Sequence, residues 1–160
     1  MDLILWRHAQ AQDIASSPDA EPSASADMAR PLTVLGCQQA EAMAHWLKRR
    51  LKQNTTIVVS PAVRCEQTVA ALELPYILHR DLAPNKGADD LLALTQWPHS
   101  DQAVLVVGHQ PVLPQVVMRL LGCAAQDWAF RKGAVWWLRS RHRNGHLQTV
   151  VVAVQNSEFL

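Results

Sequence analysis

Ala103-Val104-Leu105-Val106-Val107, running into Gly108-His109-Gln110-Pro111, is the stretch that decides the fold. An unbroken apolar run bounded by polar residues describes a strand covered on both faces, as in the middle of a parallel sheet. Covering both faces requires helices, and the flanking sequence supplies them. Pro111–Leu121 is helical, with Gly122 as its stop. Upstream, Leu3–Trp6 and Thr56–Val59 read as further strands, and Pro75–Leu78 as another. Between them Thr33 is the expected N-cap of a helix reaching Leu51, with Gly36, Ala40, Met43, Leu47 and Leu51 on one stripe. Ser60-Pro61 predicts a second helix, running to Leu72, with the hydroxyl as cap and the proline at the first helical position. Asp89–Trp97 adds a short one. The chain then changes character: Ala134–Arg139 and Leu147–Val154 are β-rich, and Asn144-Gly145 between them is a hairpin signal. Strand–helix alternation followed by a hairpin predicts an α/β fold. The expectation is a single three-layer α/β/α domain over 1–160, its central sheet mostly parallel with a C-terminal antiparallel hairpin. Asp13–Ala29 lacks periodicity and reads as an unusually long loop.

Composition narrows the function. The chain has 160 residues, 49% hydrophobic and 18% charged, with a formal net charge of +1. This is enough for one well-cored domain and gives no global attraction to nucleic acid or a membrane. No apolar run approaches the ~18–20 residues of a membrane span. The start of the chain lacks a signal-peptide pattern. Cys37, Cys65 and Cys123 are odd in number and widely spaced, which argues against a disulfide framework or a structural zinc site. The expectation is a cytoplasmic protein, monomeric because no exposed apolar stripe stands out, without cofactor or metal.

Chemistry enters at the strand ends. Arg7-His8 follows the first strand, Ser60 to Arg64 the second, and Gly108-His109 the central one. Ligands of open α/β sheets bind beyond the carboxyl ends of parallel strands, so these segments should meet at one edge. Arg64 should sit in the first turn of its helix, where free N–H groups favour an anion. Arg7 and Arg64 can add bidentate hydrogen bonds of the kind that hold phosphate. Neighbouring arginines should hold His8 neutral and nucleophilic, with His109 as a donor to phosphoryl oxygens. A single histidine at a strand end is ordinarily a surface or core residue; joint placement carries the reading. His45, His79, His99, His142 and His146 show no motif. The tryptophans should pack the core or rim the site, Trp136 and Trp137 facing opposite ways.

Other phosphate chemistries fail on sequence. The position six residues after each cysteine, where a cysteine phosphatase needs arginine, holds Met43, Ala71 or Ala129. No Gly-x-x-x-x-Gly-Lys-Ser/Thr loop exists. Nor does a carboxylate pair or His-x-x-x-His spacing suggest a metal-dependent hydrolase.

Arg7-His8-Ala9, Ser60-Pro61-x-x-Arg64-x-x-Gln67-Thr68 and Gly108-His109 together resemble the histidine phosphatase superfamily, the phosphoglycerate-mutase-like fold. Arg30-Pro31-Leu32-Thr33-x-x-Gly36 is similar to the segment after the first motif in that group. The short length resembles the SixA-type phosphohistidine phosphatases. The resemblance implies phosphorylation of His8 as the covalent intermediate, with Arg7, Arg64, His109 and Arg30 binding the phosphoryl group. It implies a cofactor-independent phosphatase whose substrate is a histidine-phosphorylated phosphotransfer or phosphocarrier protein, with no nucleic acid or membrane partner. The short connection from Thr68 to Gly108 implies an open, shallow pocket. The sequence departs from the group in two places. Ala9 replaces the usual glycine, and the region carrying the general acid of larger relatives is short. Asp27 is the candidate acid, with Asp13, Asp89 and Asp90 as alternatives. Phosphohistidine can leave as neutral imidazole and demands little from an acid. A small-molecule phosphomonoesterase of the same chemistry and a non-catalytic phosphate- or phosphoprotein-binding module are the rival readings.

Overall fold

The computed structural model describes residues 1–14, 23–123 and 128–160. Its sheet has six strands: β1 (Asp2–Arg7), β2 (Thr56–Val59), β3 (Ile77–Leu78), β4 (Val104–Gly108), β5 (Val135–Arg143) and β6 (His146–Gln155), in the order β3-β2-β4-β1-β5-β6. β4 pairs in parallel with β1 and β2, and β5 and β6 form the antiparallel end. The mixed sheet and its α/β class agree with the sequence reading.

Both faces of the sheet are apolar, as the run in β4 requires. Ile4, Trp6, Leu105 and Val107 face one way and pack with Met43 and Leu47 of α2 (Val34–Lys48) and Val69 of α3 (Val63–Ala70). Leu3, Leu5, Val104 and Val106 face the other way, against Leu91 of α4 (Ala88–Thr95) and Leu113, Val116 and Val117 of α5 (Val112–Leu121). Helices therefore cover both faces, giving three layers. Trp137 and Trp136 point to opposite layers, the first near Trp46 and the second stacked on Phe130. Asn144 and Gly145 turn the β5–β6 hairpin with positive φ, 52° and 77°.

Three details differ from the expectation. Thr33 caps α2 through Gly36 N–H, but the helix stops at Lys48. The segment expected as loop contains a helical turn, α1 (Ala24–Met28), capped by the Ser23 hydroxyl; residues 15–22 of that loop lie outside the described residues. α3 begins at Val63, with Ala62 rather than Ser60 at its N-cap. The Ser60 hydroxyl is drawn elsewhere, as shown below. No helix among the described residues is long and apolar enough to cross a membrane.

Candidate active site

The parallel register brings the three segments together. Arg7 lies opposite Gly108 across β1 and β4, and His8 N–H donates to the Gly108 carbonyl at 3.0 Å. Ser60 N–H donates to Val107 at 3.0 Å, so the end of β2 is tied to the same edge. The His8 and His109 rings are 5.2 Å apart, centroid to centroid. Every named candidate except the alternative acids Asp89 and Asp90 is gathered here; those two sit in the first turn of α4, and Asp89 pairs with Arg119.

His8 Nδ1 lies 2.7 Å from the Ala9 carbonyl oxygen. A carbonyl only accepts, so the proton sits on Nδ1 and Nε2 keeps its lone pair. Burial first, and then the charges of Arg64, Arg7 and Arg30, together push the imidazole pKa down to about 4 against the opposing Ala9 hydrogen bond. Burial, rather than the neighbouring arginines expected from the sequence, is the larger cause. His109, buried beside His8 and Arg64, is pushed down to about 3. Both rings are neutral at physiological pH.

The arginines are fixed by main-chain acceptors. Arg7 Nη1 donates to the Phe130 carbonyl, and Arg64 Nη1 to the Asp27 carbonyl. Arg7 Nε and Arg64 Nε are buried donors with no partner among the described residues. Buried N–H groups are rarely left unpaired, so each is a donor in want of an acceptor. Arg30 Nε donates to the Gln12 carbonyl at 2.6 Å, and its Nη1 reaches Asp27 Oδ1 at 3.1 Å. Asp13 is a more distant partner of Arg30, at 3.7 Å.

Asp27 occupies an unexpected place. Its Oδ2 accepts from Arg64 Nη2 at 2.9 Å, so one carboxylate bridges Arg30 and Arg64. Burial alone would raise its pKa, but the hydrogen bonds and charges of Arg30 and Arg64 outweigh that and hold it below the ordinary carboxylate value. An ionised carboxylate has no proton to donate. His8 is 8% exposed, His109 4% and Arg64 3%, so the reactive side chains lie at the floor of the site.

The motif residues Gln67 and Thr68, unassigned from sequence, are clamps on α3. Gln67 Oε1 accepts from Leu32 N–H at 2.7 Å, and Thr68 Oγ1 accepts from Ala9 N–H at 3.0 Å while donating to the Arg64 carbonyl at 2.6 Å. The helix and the loop that carries His8 are thus held together. Cys65 is buried, and burial pushes its thiol up to about 12, so it is no nucleophile. Among the described residues no group of His, Cys, Asp and Glu is placed to hold a metal ion.

These values predict the acid response. His8 should titrate near pH 4, not 6.5, when its ring shifts are followed by NMR. The unfolded imidazole binds a proton at about 6.5 that the folded one refuses until about 4, so acidification across that window favours unfolding, by up to about 1.4 kcal/mol per pH unit. A midpoint near 6.5 would mean a wetter site.

The histidine phosphatase superfamily (branch 1) model matches residues 3–83. The phosphohistidine phosphatase SixA of Escherichia coli (strain K12) is 33% identical over 128 residues, covering 75% of this chain and 74% of that protein. A SixA homolog of Haemophilus influenzae is 28% identical over 137 residues, covering 76% and 78%. The solved structure of the protein histidine phosphatase SixA complexed with tungstate superposes with a TM-score of 0.73, at 26% identity, over 99% of both chains. The strand-end histidines and arginines, the topology and these relatives agree, and the chain belongs to the histidine phosphatase superfamily, with the SixA type as its near kin.

Proposed function

We propose that this chain removes phosphate from phosphohistidine on a phosphotransfer or phosphocarrier protein. The observation that carries the reading is His8 held as the Nδ1–H form, with Nε2 unprotonated in the field of Arg64 and Arg7, whose Nε donors have no partner among the described residues. The names of the curated relatives favour the phosphohistidine substrate.

In the first step the Nε2 lone pair attacks phosphorus, and the bond to the substrate imidazole nitrogen breaks. Its electron pair returns to a ring already protonated at the other nitrogen, which leaves neutral. Arg7, Arg64 and Arg30 match the charge spread over the phosphoryl oxygens in the transition state. Water then attacks phospho-His8, the P–N bond returns its electrons to Nε2, and the phosphate leaves carrying both protons of the water, as dihydrogen phosphate. Neither step requires a cofactor or a metal.

Asp27 takes the role of a displaceable anion on Arg64 and Arg30, not of a proton donor. Asp27→Asn should therefore tighten orthovanadate binding by about fivefold, on the order of 1 kcal/mol for a partly exposed carboxylate shared by two arginines, read by calorimetry. Unchanged binding with slower cleavage of an ester substrate would instead assign Asp27 as the acid. The reading as a whole is tested by phosphate release from a histidine-phosphorylated carrier protein, with p-nitrophenyl phosphate and a phosphoserine peptide in parallel. Preferential loss of phosphohistidine is expected. Faster ester cleavage would keep the site and replace the substrate; tight phosphate binding without release would make the chain a binding module.

A further inference from the structure

Ser60 carries the start signal of α3 in the sequence, yet its hydroxyl does not serve as that helix's cap. Its side chain is wholly buried. The backbone is fixed by the N–H bond to Val107, and Oγ lies 2.7 Å from His109 Nε2. A distance this short between two buried groups is a strong hydrogen bond.

The direction of that bond decides what His109 can do. Ser60 Oγ already accepts, weakly, from Ala62 N–H at 3.4 Å. Its own proton has two neighbours, His109 Nε2 and the Cys65 sulfur, which lies 3.5 Å from the same nitrogen. An imidazole lone pair is a far better acceptor than a thiol sulfur. Were Nε2 protonated it would donate to Oγ and leave the hydroxyl only the Cys65 sulfur, the weaker acceptor; the hydroxyl donating to an unprotonated Nε2 makes the stronger bond and is the arrangement favoured. A neutral imidazole carries one proton, which must then sit on Nδ1.

We infer that Ser60 is a positioning residue: its hydroxyl holds His109 as the Nδ1–H tautomer, so that the nitrogen not bound to Ser60 is a donor to the phosphoryl oxygens. In the other tautomer that nitrogen would turn a lone pair toward an anion. The inference rests on the phosphatase reading for its catalytic consequence, but the tautomer is measurable without turnover. His8 and His109 are then matched in opposite tasks. The Ala9 carbonyl accepts a hydrogen bond from His8 Nδ1–H and leaves Nε2 free to attack, while the Ser60 hydroxyl donates to His109 Nε2 and makes its Nδ1 a donor.

The test is long-range proton–nitrogen NMR on histidine-labelled protein near pH 7. In wild type His109 should show a protonated Nδ1 and an unprotonated Nε2. Ser60→Ala should shift His109 toward the Nε2–H form and lower kcat/KM by about 10–100-fold, as happens when a hydrogen bond orienting a functional histidine is removed. Ser60→Thr, which keeps the hydroxyl, should restore the tautomer and most of the rate. A protonated Nε2 in wild type would overturn the inference without needing any variant to fold. An unchanged tautomer and rate in a folded Ser60→Ala would overturn it as well. Failure of the phosphatase reading looks different: no release by wild type from any phosphorylated substrate, whatever the tautomer.

Discussion

Replacing His8 with alanine should lower phosphate release by at least about a thousandfold, the scale on which removal of a covalent nucleophile acts in other enzymes. Among the described residues no other side chain at the site can take over. His109 has Nε2 committed to Ser60, Cys65 is held as a neutral thiol by burial, and Asp27 is bound to two arginines. The fold should survive, because His8 is tied to its surroundings mainly through its backbone: its N–H to Gly108, its carbonyl to Gly133 N–H. Circular dichroism should overlay with wild type, and orthovanadate should still bind to the arginines. A folded His8→Ala protein with undiminished turnover would exclude the phospho-His8 intermediate and point to direct attack by water.

Gly36→Ala should be strongly destabilising although it lies in a helix. Inside an isolated helix alanine is favoured over glycine by about 1 kcal/mol. Here a Cβ at position 36 would fall 2.0 Å from the Gln10 carbonyl oxygen and 2.9 Å from its carbon. That is backbone and cannot swing aside. The same carbonyl accepts from Thr33 N–H at 2.9 Å, and Gln10 N–H donates to Gln39 at 3.0 Å. The clash outweighs propensity, and a net loss of about 3 kcal/mol, at the upper end for overpacking, is expected. Thermal denaturation should show Tm lower by about 6–12 °C. Gln10 is two residues from His8, so the loop that moves to relieve the clash carries the nucleophile with it, and kcat should fall too. A raised Tm would mean that the loop yields freely and propensity wins.

Much of this molecule was legible from local pattern. The apolar run of β4 sets a strand with two covered faces, alternate residues of β1 divide between two layers, and Asn144-Gly145 turns the hairpin. Once the strands are parallel, Arg7, His8, Arg64 and His109 must share an edge, because parallel strands end on the same side. The helix stripe from Gly36 to Leu47 was equally visible in sequence, although what Gly36 touches was not.

What the sequence left open is which partner each polar side chain takes. Ser60 carries a helix-start signal, yet it is spent on a histidine 49 positions away, and α3 begins two residues past the expected start. Asp27 resembles an acid in a loop until Arg64, 37 residues on, holds its carboxylate ionised. The low pKa of His8 follows first from burial, which no count of nearby arginines reveals. Periodicity and capping preferences are properties of neighbours in the chain, and they determined the strands, the helices and the edge where chemistry gathers. Hydrogen-bond partners and desolvation depend on neighbours in space, so only the tertiary structure decided which nitrogen of each histidine is free and which anion rests on the arginines.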